Sequence, residues 1–290
     1  MTSTDTTAPS TVAFEFVRSL AGELSTGKVD LPSFPEVAIR VRRVLSDPNS
    51  ATDQVVRVVG SEPALAARLM RIANSASLNR SGKLVVDLRT AINRLGYNMV
   101  RSAAITFAMA QIRNANKLSG LEHYLKDIWQ QSTLTAAFAF VLARTCSRVN
   151  PDEALLGGVM HGIGKLYVLT RAGSHPELFA DRAMLDGILN DWHASIGKAI
   201  LENWEFSDDM AAAIGEQQDY SREEPEPPDL RDVIAVAIVM AAHHTDADRL
   251  DAILKTLPAA TRLGLDPAKT RVMVAESAAE VSALSSALGD

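Results

Sequence analysis

Cysteine is nearly absent: Cys146 is the single one among 290 residues. No intramolecular disulfide can form, so stability has to come from a packed core, and a reducing, cytoplasmic setting is expected. The chain also lacks a long apolar run. Its longest nearly pure stretch, Val233 to Ala242, is about half the roughly 20 residues that a membrane-spanning helix requires, and reads as a buried core helix. Nothing at the N-terminus resembles a basic segment followed by an apolar signal region. Segments alternating apolar and polar residues are rare, which argues against a sheet. Three catalytic signatures are missing as well: a Gly-x-Ser-x-Gly elbow, a Walker-type phosphate loop and a Cys-x-x-Cys pair. Cys146 has no identifiable base in sequence, so nucleophilic catalysis has no support.

What is present is a hydrophobic content of 47%, enough for a large core built as one domain or two closely packed lobes. A net charge of -6 disfavours a dedicated nucleic-acid binder, because neutralising phosphates with Lys and Arg supplies most of that affinity. The charge is unevenly spread. Residues 12–113 hold 14 Lys and Arg against 8 Asp and Glu, a balance of +6, whereas residues 114–290 hold 15 against 26, a balance of -11. Arg40, Arg42, Arg43, Arg57, Arg68 and Arg71 are the candidates for a cationic surface that would meet an acidic partner or another anion; solvated helix faces are the plainer account.

Apolar residues return at three- and four-residue steps, so an all-α fold is expected. Ser50-Ala-Thr-Asp53 reads as a capping box, and Asn150-Pro151-Asp152-Glu153 combines an N-cap, proline at the first helical position and an early acid. Asp266-Pro267 repeats the device. Leu65, Leu69 and Ile72 form one core stripe, and Val100, Ala104, Phe107 and Ala108 another. The expected organisation is a disordered tail over residues 1–12, an N-terminal helical lobe over 13–115, a second helical lobe over 116–218, an exposed acidic, proline-rich loop over 219–229, and C-terminal helices over 230–290 packed on the second lobe.

The segment Leu155 to Leu166 places His161 at a helix end beside glycines, where an imidazole can face a cleft and offer a nitrogen to a metal. Alone, this describes a hydrogen-bonded core histidine at least as well. The same holds for His193, which lies one turn before Ile196 and Gly197 on an apolar stripe.

Four ordered segments are similar to the HDOD family: Leu31–Val37 (LPSFPEV), Val44–Pro48 (VLSDP), Gly60–Ala76 (GSEPALAARLMRIANSA) and Thr90–Gly96 (TAINRLG). Ile128-Trp-Gln-Gln-Ser132, the Gly157–Leu166 stretch and the helix from His193 to Trp204 resemble the later part of that domain, and coverage runs over about residues 24–218. The resemblance implies a two-lobed bundle whose second lobe is related to the HD phosphohydrolases, which hold metals with histidines and a His-Asp pair. His161 matches the histidine of the pair, but Gly162 stands in place of the aspartate. Gln131 and Gln217 stand where further histidines would be expected. Two histidines and neutral amides fall short of the roughly three protein ligands of a catalytic metal site. Glu216 with His243 and His244 is a poor rescue, since neighbouring helical residues point about 100° apart. The expectation is therefore a bacterial, non-catalytic signalling module without metal or cofactor, acting through a protein partner. The alternative is a degenerate phosphohydrolase or a binder of a nucleotide, such as a cyclic dinucleotide, in the vestigial cleft of Gln131, His161, Gly162, His193 and Gln217.

Overall fold

A computed structural model describes residues 8–26, 36–47, 50–75, 78–79, 82–115, 121–179, 181–223 and 227–289. Among them the regular structure is helical throughout, with no strand. The first half comprises α1 (Ala8–Thr26), α2 (Glu36–Ser46), α3 (Thr52–Gly60), α4 (Pro63–Asn74) and α5 (Leu88–Ala115). A second group follows: α6 (Glu122–Cys146), α7 (Pro151–Met160), α8 (Ile163–Ala172), α9 (Arg182–Asn203) and α10 (Asp208–Gly215). The C-terminal part contains α11 (Leu230–His243), α12 (Ala247–Leu254), α13 (Pro258–Arg262) and α14 (Pro267–Gly289).

Local sequence explains most of the starts. Asn150 accepts from the amides of Asp152 and Glu153 at 2.9 and 3.4 Å, with Pro151 in the first turn of α7. Asp266 accepts from Lys269 N at 2.8 Å at the head of α14. Two starts differ from the sequence expectation. The cap of α3 falls on Ala51, one residue after Ser50, and Gln54 supplies its half of a capping box by accepting from Ala51 N at 3.2 Å. The helix α1 begins at Ala8, inside the stretch read as tail; Pro9 costs nothing in a first turn, and Phe16 and Leu20 bury one face of the helix. Residues 1–7 lie outside the described residues, as do 31–35, which carry most of the first resemblance segment.

The helices α2, α3 and α4 pack around α5, while α6 to α10 form the second lobe. One apolar cluster runs through both, from Phe16 to Leu288, because α5 also packs on α7. A tight seam joins α6 to α7: a Cβ at Gly158 would run into the backbone of Thr135 and Ala136. The helix α11 lies on α6 and α7, and α14 reaches back past α6 to α4 and α5, so the C-terminal helices touch both lobes.

The acidic loop is exposed at Asp219, Tyr220, Ser221, Glu223 and Pro227, and Arg222 anchors it. Asp232, 2% exposed, receives Arg222 at 3.1 Å and Arg262 at 2.6 Å, and its carboxylate also accepts from Asp229 N at 3.1 Å. Charges that are this buried persist only when paired, and here the pairing clamps the loop and α13 to the start of α11.

Candidate functional site

His161 and Gly162 form the turn between α7 and α8. The His161 ring is 5% exposed and its Nδ1 lies 2.6 Å from Gly158 O. A carbonyl only accepts, so Nδ1 carries the proton and Nε2 keeps the lone pair. Burial pushes this imidazole down to about 4, with the neighbouring Lys165 ammonium and His193 adding to the effect and the Gly158 bond opposing it. His193 sits on α9, 3% exposed, with Nδ1 at 2.8 Å from Leu189 O and 3.1 Å from Asn190 O. It too is pushed down to about 4, by burial first and then by Lys165. Both histidines are therefore neutral at neutral pH. They are brought together because a Cβ at Gly164 would run into the carbonyl of His193: the backbones of α8 and α9 touch there.

Two other positions of the cleft are taken up. A Cβ at Gly162 would stand 2.6 Å from Ser132 Oγ and 3.1 Å from Ile128 Cγ2, so α6 occupies the space an aspartate would need. Gln217, 2% exposed, gives its amide to Ile214 O at 2.8 Å and His161 O at 3.2 Å, which ties it to backbone. Gln131 is half-buried on α6. Glu216, a distant rescue candidate, is engaged with Arg231 at 3.2 Å, and His244 packs against Phe138.

Lys165 and Asp186 were missed by sequence reasoning. Burial lowers the Lys165 ammonium from its ordinary value, and the Asp186 carboxylate opposes that. A signal existed: Asp186 lies seven residues before His193, on the same face of α9. The donor set does not fit a divalent cation. It consists of two neutral imidazoles, no aspartate at Gly162, a committed amide at Gln217 and a neighbouring ammonium that would repel a metal. Among the described residues, no three His, Cys, Asp or Glu side chains gather as a metal site.

The six arginines do not make one surface. Arg40, Arg43 and Arg57 line a shallow groove of about 430 Å³ with Asp47, Gln54 and Val58, between α2 and α3, where three guanidiniums outnumber the one lining carboxylate; Arg40 also lies 3.8 Å from Glu36. Arg71 is exposed on α4. Arg42 turns inward, bonding Trp204 O and reaching Glu205 at 3.3 Å. Arg68 is 4% exposed and lies over the Phe107 ring at 5.7 Å, because it shares the buried face of α4 with Leu65, Leu69 and Ile72.

The HDOD domain model matches residues 31–220, a span that covers both lobes and both histidines. The chain belongs to the HDOD domain family. A solved structure from Shewanella amazonensis SB2B, provisionally named a metal-dependent phosphohydrolase, superposes with a TM-score of 0.77 at 26% identity, over 95% of this chain and 99% of that one. An HDOD domain protein from Geobacter sulfurreducens superposes with a TM-score of 0.68 at 19% identity, over 96% and 98%. A protein from Marinobacter aquaeolei VT8, provisionally named for signal transduction, gives 0.63 at 21% identity, over 97% and 66%. A curated relative, an uncharacterized protein of Treponema pallidum (strain Nichols), is 24% identical over 212 residues, which are 67% of this chain and 39% of the relative. The HDOD chain thus spans about two-fifths of that relative's length. The HDOD fold accounts for the helical architecture expected from the sequence. No helix among the described residues is long and apolar enough to cross a membrane.

Proposed function

We propose that this HDOD protein is a regulatory module of bacterial signal transduction that works by binding a protein and not by hydrolysis. The observation that carries the reading is the closure around Gly162: Ser132 and Ile128 fill the room of the missing aspartate, and Lys165 sets a positive charge beside both imidazoles. A hydrolase that had merely lost one ligand would keep the space for it. The family membership and the likeness to a chain named for signalling agree with a regulatory role.

The docking face on this reading is the groove of Arg40, Arg43 and Arg57, and its partner is a protein presenting Asp and Glu side chains. Three guanidiniums on adjoining helices favour carboxylates through charge and paired hydrogen bonds. The test has two arms. The purified protein is analysed for bound Mn, Fe and Zn and assayed on phosphodiester and cyclic-dinucleotide substrates with each metal added; stoichiometric metal with turnover refutes the reading. The double variant R43E/R57E is then compared with wild type in crosslinking to cellular partners, and an unchanged partner set removes the docking face.

A further inference from the structure

The two lobes enclose a second concavity, lined by neither histidine. It has a volume of about 380 Å³ and lies between α2 and α5 on one side and α7, α10 and the α9–α10 turn on the other. That volume falls within the range of small-molecule pockets, about 300–1,000 Å³. Its wall is divided in character: Ile105, Leu156 and Met210 are apolar, whereas Arg42, Arg101 and Glu153 are charged.

Arg101 is the residue that calls for a ligand. It lines the half-buried wall of the cavity with the Glu153 carboxylate as a charged neighbour, and its Nε is buried without any hydrogen-bond acceptor. A buried guanidinium nitrogen without an acceptor is costly, and an oxyanion that draws the guanidinium round to face the cavity would relieve that cost. Arg42 is differently placed, because it is already committed to Trp204 O and Glu205. Two helix starts face the same space. Asn150, the cap of α7, and Ser207, the cap of α10, both line it, and helix N-termini favour negative charge. Glu205 in the α9–α10 turn adopts a φ of 56°, a left-handed conformation that costs a non-glycine residue stability and clusters at functional sites.

We infer that the cleft between the lobes binds a small organic oxyanion, a phosphate or carboxylate compound no larger than a nucleoside monophosphate, with its head group on Arg101 and its body against Leu156 and Met210. The site is independent of the arginine groove and of any partner that docks there. Glu153, whose carboxyl is pushed up by burial first and then by Asp209 while Arg101 pulls it down, lines the same wall and can accept from a hydroxyl of the ligand.

The experiment is isothermal titration of the full chain with AMP, ribose 5-phosphate, citrate and inorganic phosphate. One-to-one saturation is expected with at least one organic compound, weakened tenfold or more in R101Q. Because R101Q could perturb folding, S46W at the exposed rim is run beside it and should block entry with an unchanged unfolding transition. R43E/R57E should bind as wild type does. Saturation by the phosphates alone, or by citrate alone, supports the site and assigns the head group. No saturable heat with any organic compound, inorganic phosphate binding as tightly as they do, or R101Q and S46W binding like wild type would overturn the inference.

Discussion

Lowering the pH from 7.5 to 5 should destabilise this protein through two residues. His161 and His193 are held neutral by burial, each with a folded value of about 4 against 6.5 when unfolded. The unfolded chain therefore takes up protons below 6.5 that the native chain refuses, so stability is complete above that value and is lost as the pH falls towards 4. At pH 5 the loss works out at about 2 kcal/mol for each histidine, and it approaches about 3 kcal/mol each once the pH reaches 4. Two such losses are a large part of the 5–15 kcal/mol that holds a typical domain. Lys165 reinforces the effect at both histidines. Asp152 and Glu153, whose carboxyls burial pushes up, act in the opposite sense at low pH. The readout is therefore the difference between wild type and variant. Urea unfolding of H161Q, H193Q and wild type at half-unit steps should show each variant losing about half of the pH slope between 6.5 and 4.5. Identical slopes in all three, or His161 and His193 resonances, assigned through H161Q and H193Q, titrating near 6.5 in the folded protein, would refute the reasoning.

Further outcomes follow from the same geometry. Restoring the missing acid with G162D should cost about 1–3 kcal/mol, because the new side chain overlaps Ser132 and Ile128. Adding S132G should recover part of that loss, and stoichiometric metal in the single variant would contradict the picture of a closed site. D232A leaves Arg222 and Arg262 facing each other without their shared carboxylate; a loss of about 3–5 kcal/mol is expected, and a thermal transition unchanged within a degree would show that the clamp is dispensable. G164A should be among the most damaging single changes, since its methyl has no room beside the His193 carbonyl. Soluble, cooperatively unfolding protein of near wild-type stability would argue against that contact.

The helical class, the caps at Asn150 and Asp266, and the burial of His161 and His193 were legible in the sequence because each depends on periodicity or on a few adjacent residues. The inward turn of Arg68 was legible too, although charge alone hid it: the residue stands on the Leu65, Leu69 and Ile72 stripe, where a guanidinium has to be buried. Other features depend on which helices meet. Nothing near Gly162 in the chain announces Ser132 as the occupant of its missing side chain, thirty residues earlier on α6. Nor does any local pattern separate Arg42, drawn to the end of α9, from Arg40 and Arg43 on the same helix, which face solvent. The acidic loop is exposed at Asp219, Tyr220, Ser221, Glu223 and Pro227, in keeping with its composition. What composition does not announce is that Arg222 and, from α13, Arg262 share the buried Asp232 of α11.

The seam between α6 and α7 has a mechanical consequence. Where Gly158 meets Ala136, main chain rests on main chain, leaving no layer of side chains that could shift rotamers and let one helix slide over the other. The pair behaves as a single beam, and the His161 turn is fixed to its end. Joints filled by long side chains are of another kind, such as the one bridged by Arg42 between α2 and the turn after α9: rotamer changes there can absorb strain that the α6–α7 seam can only pass on.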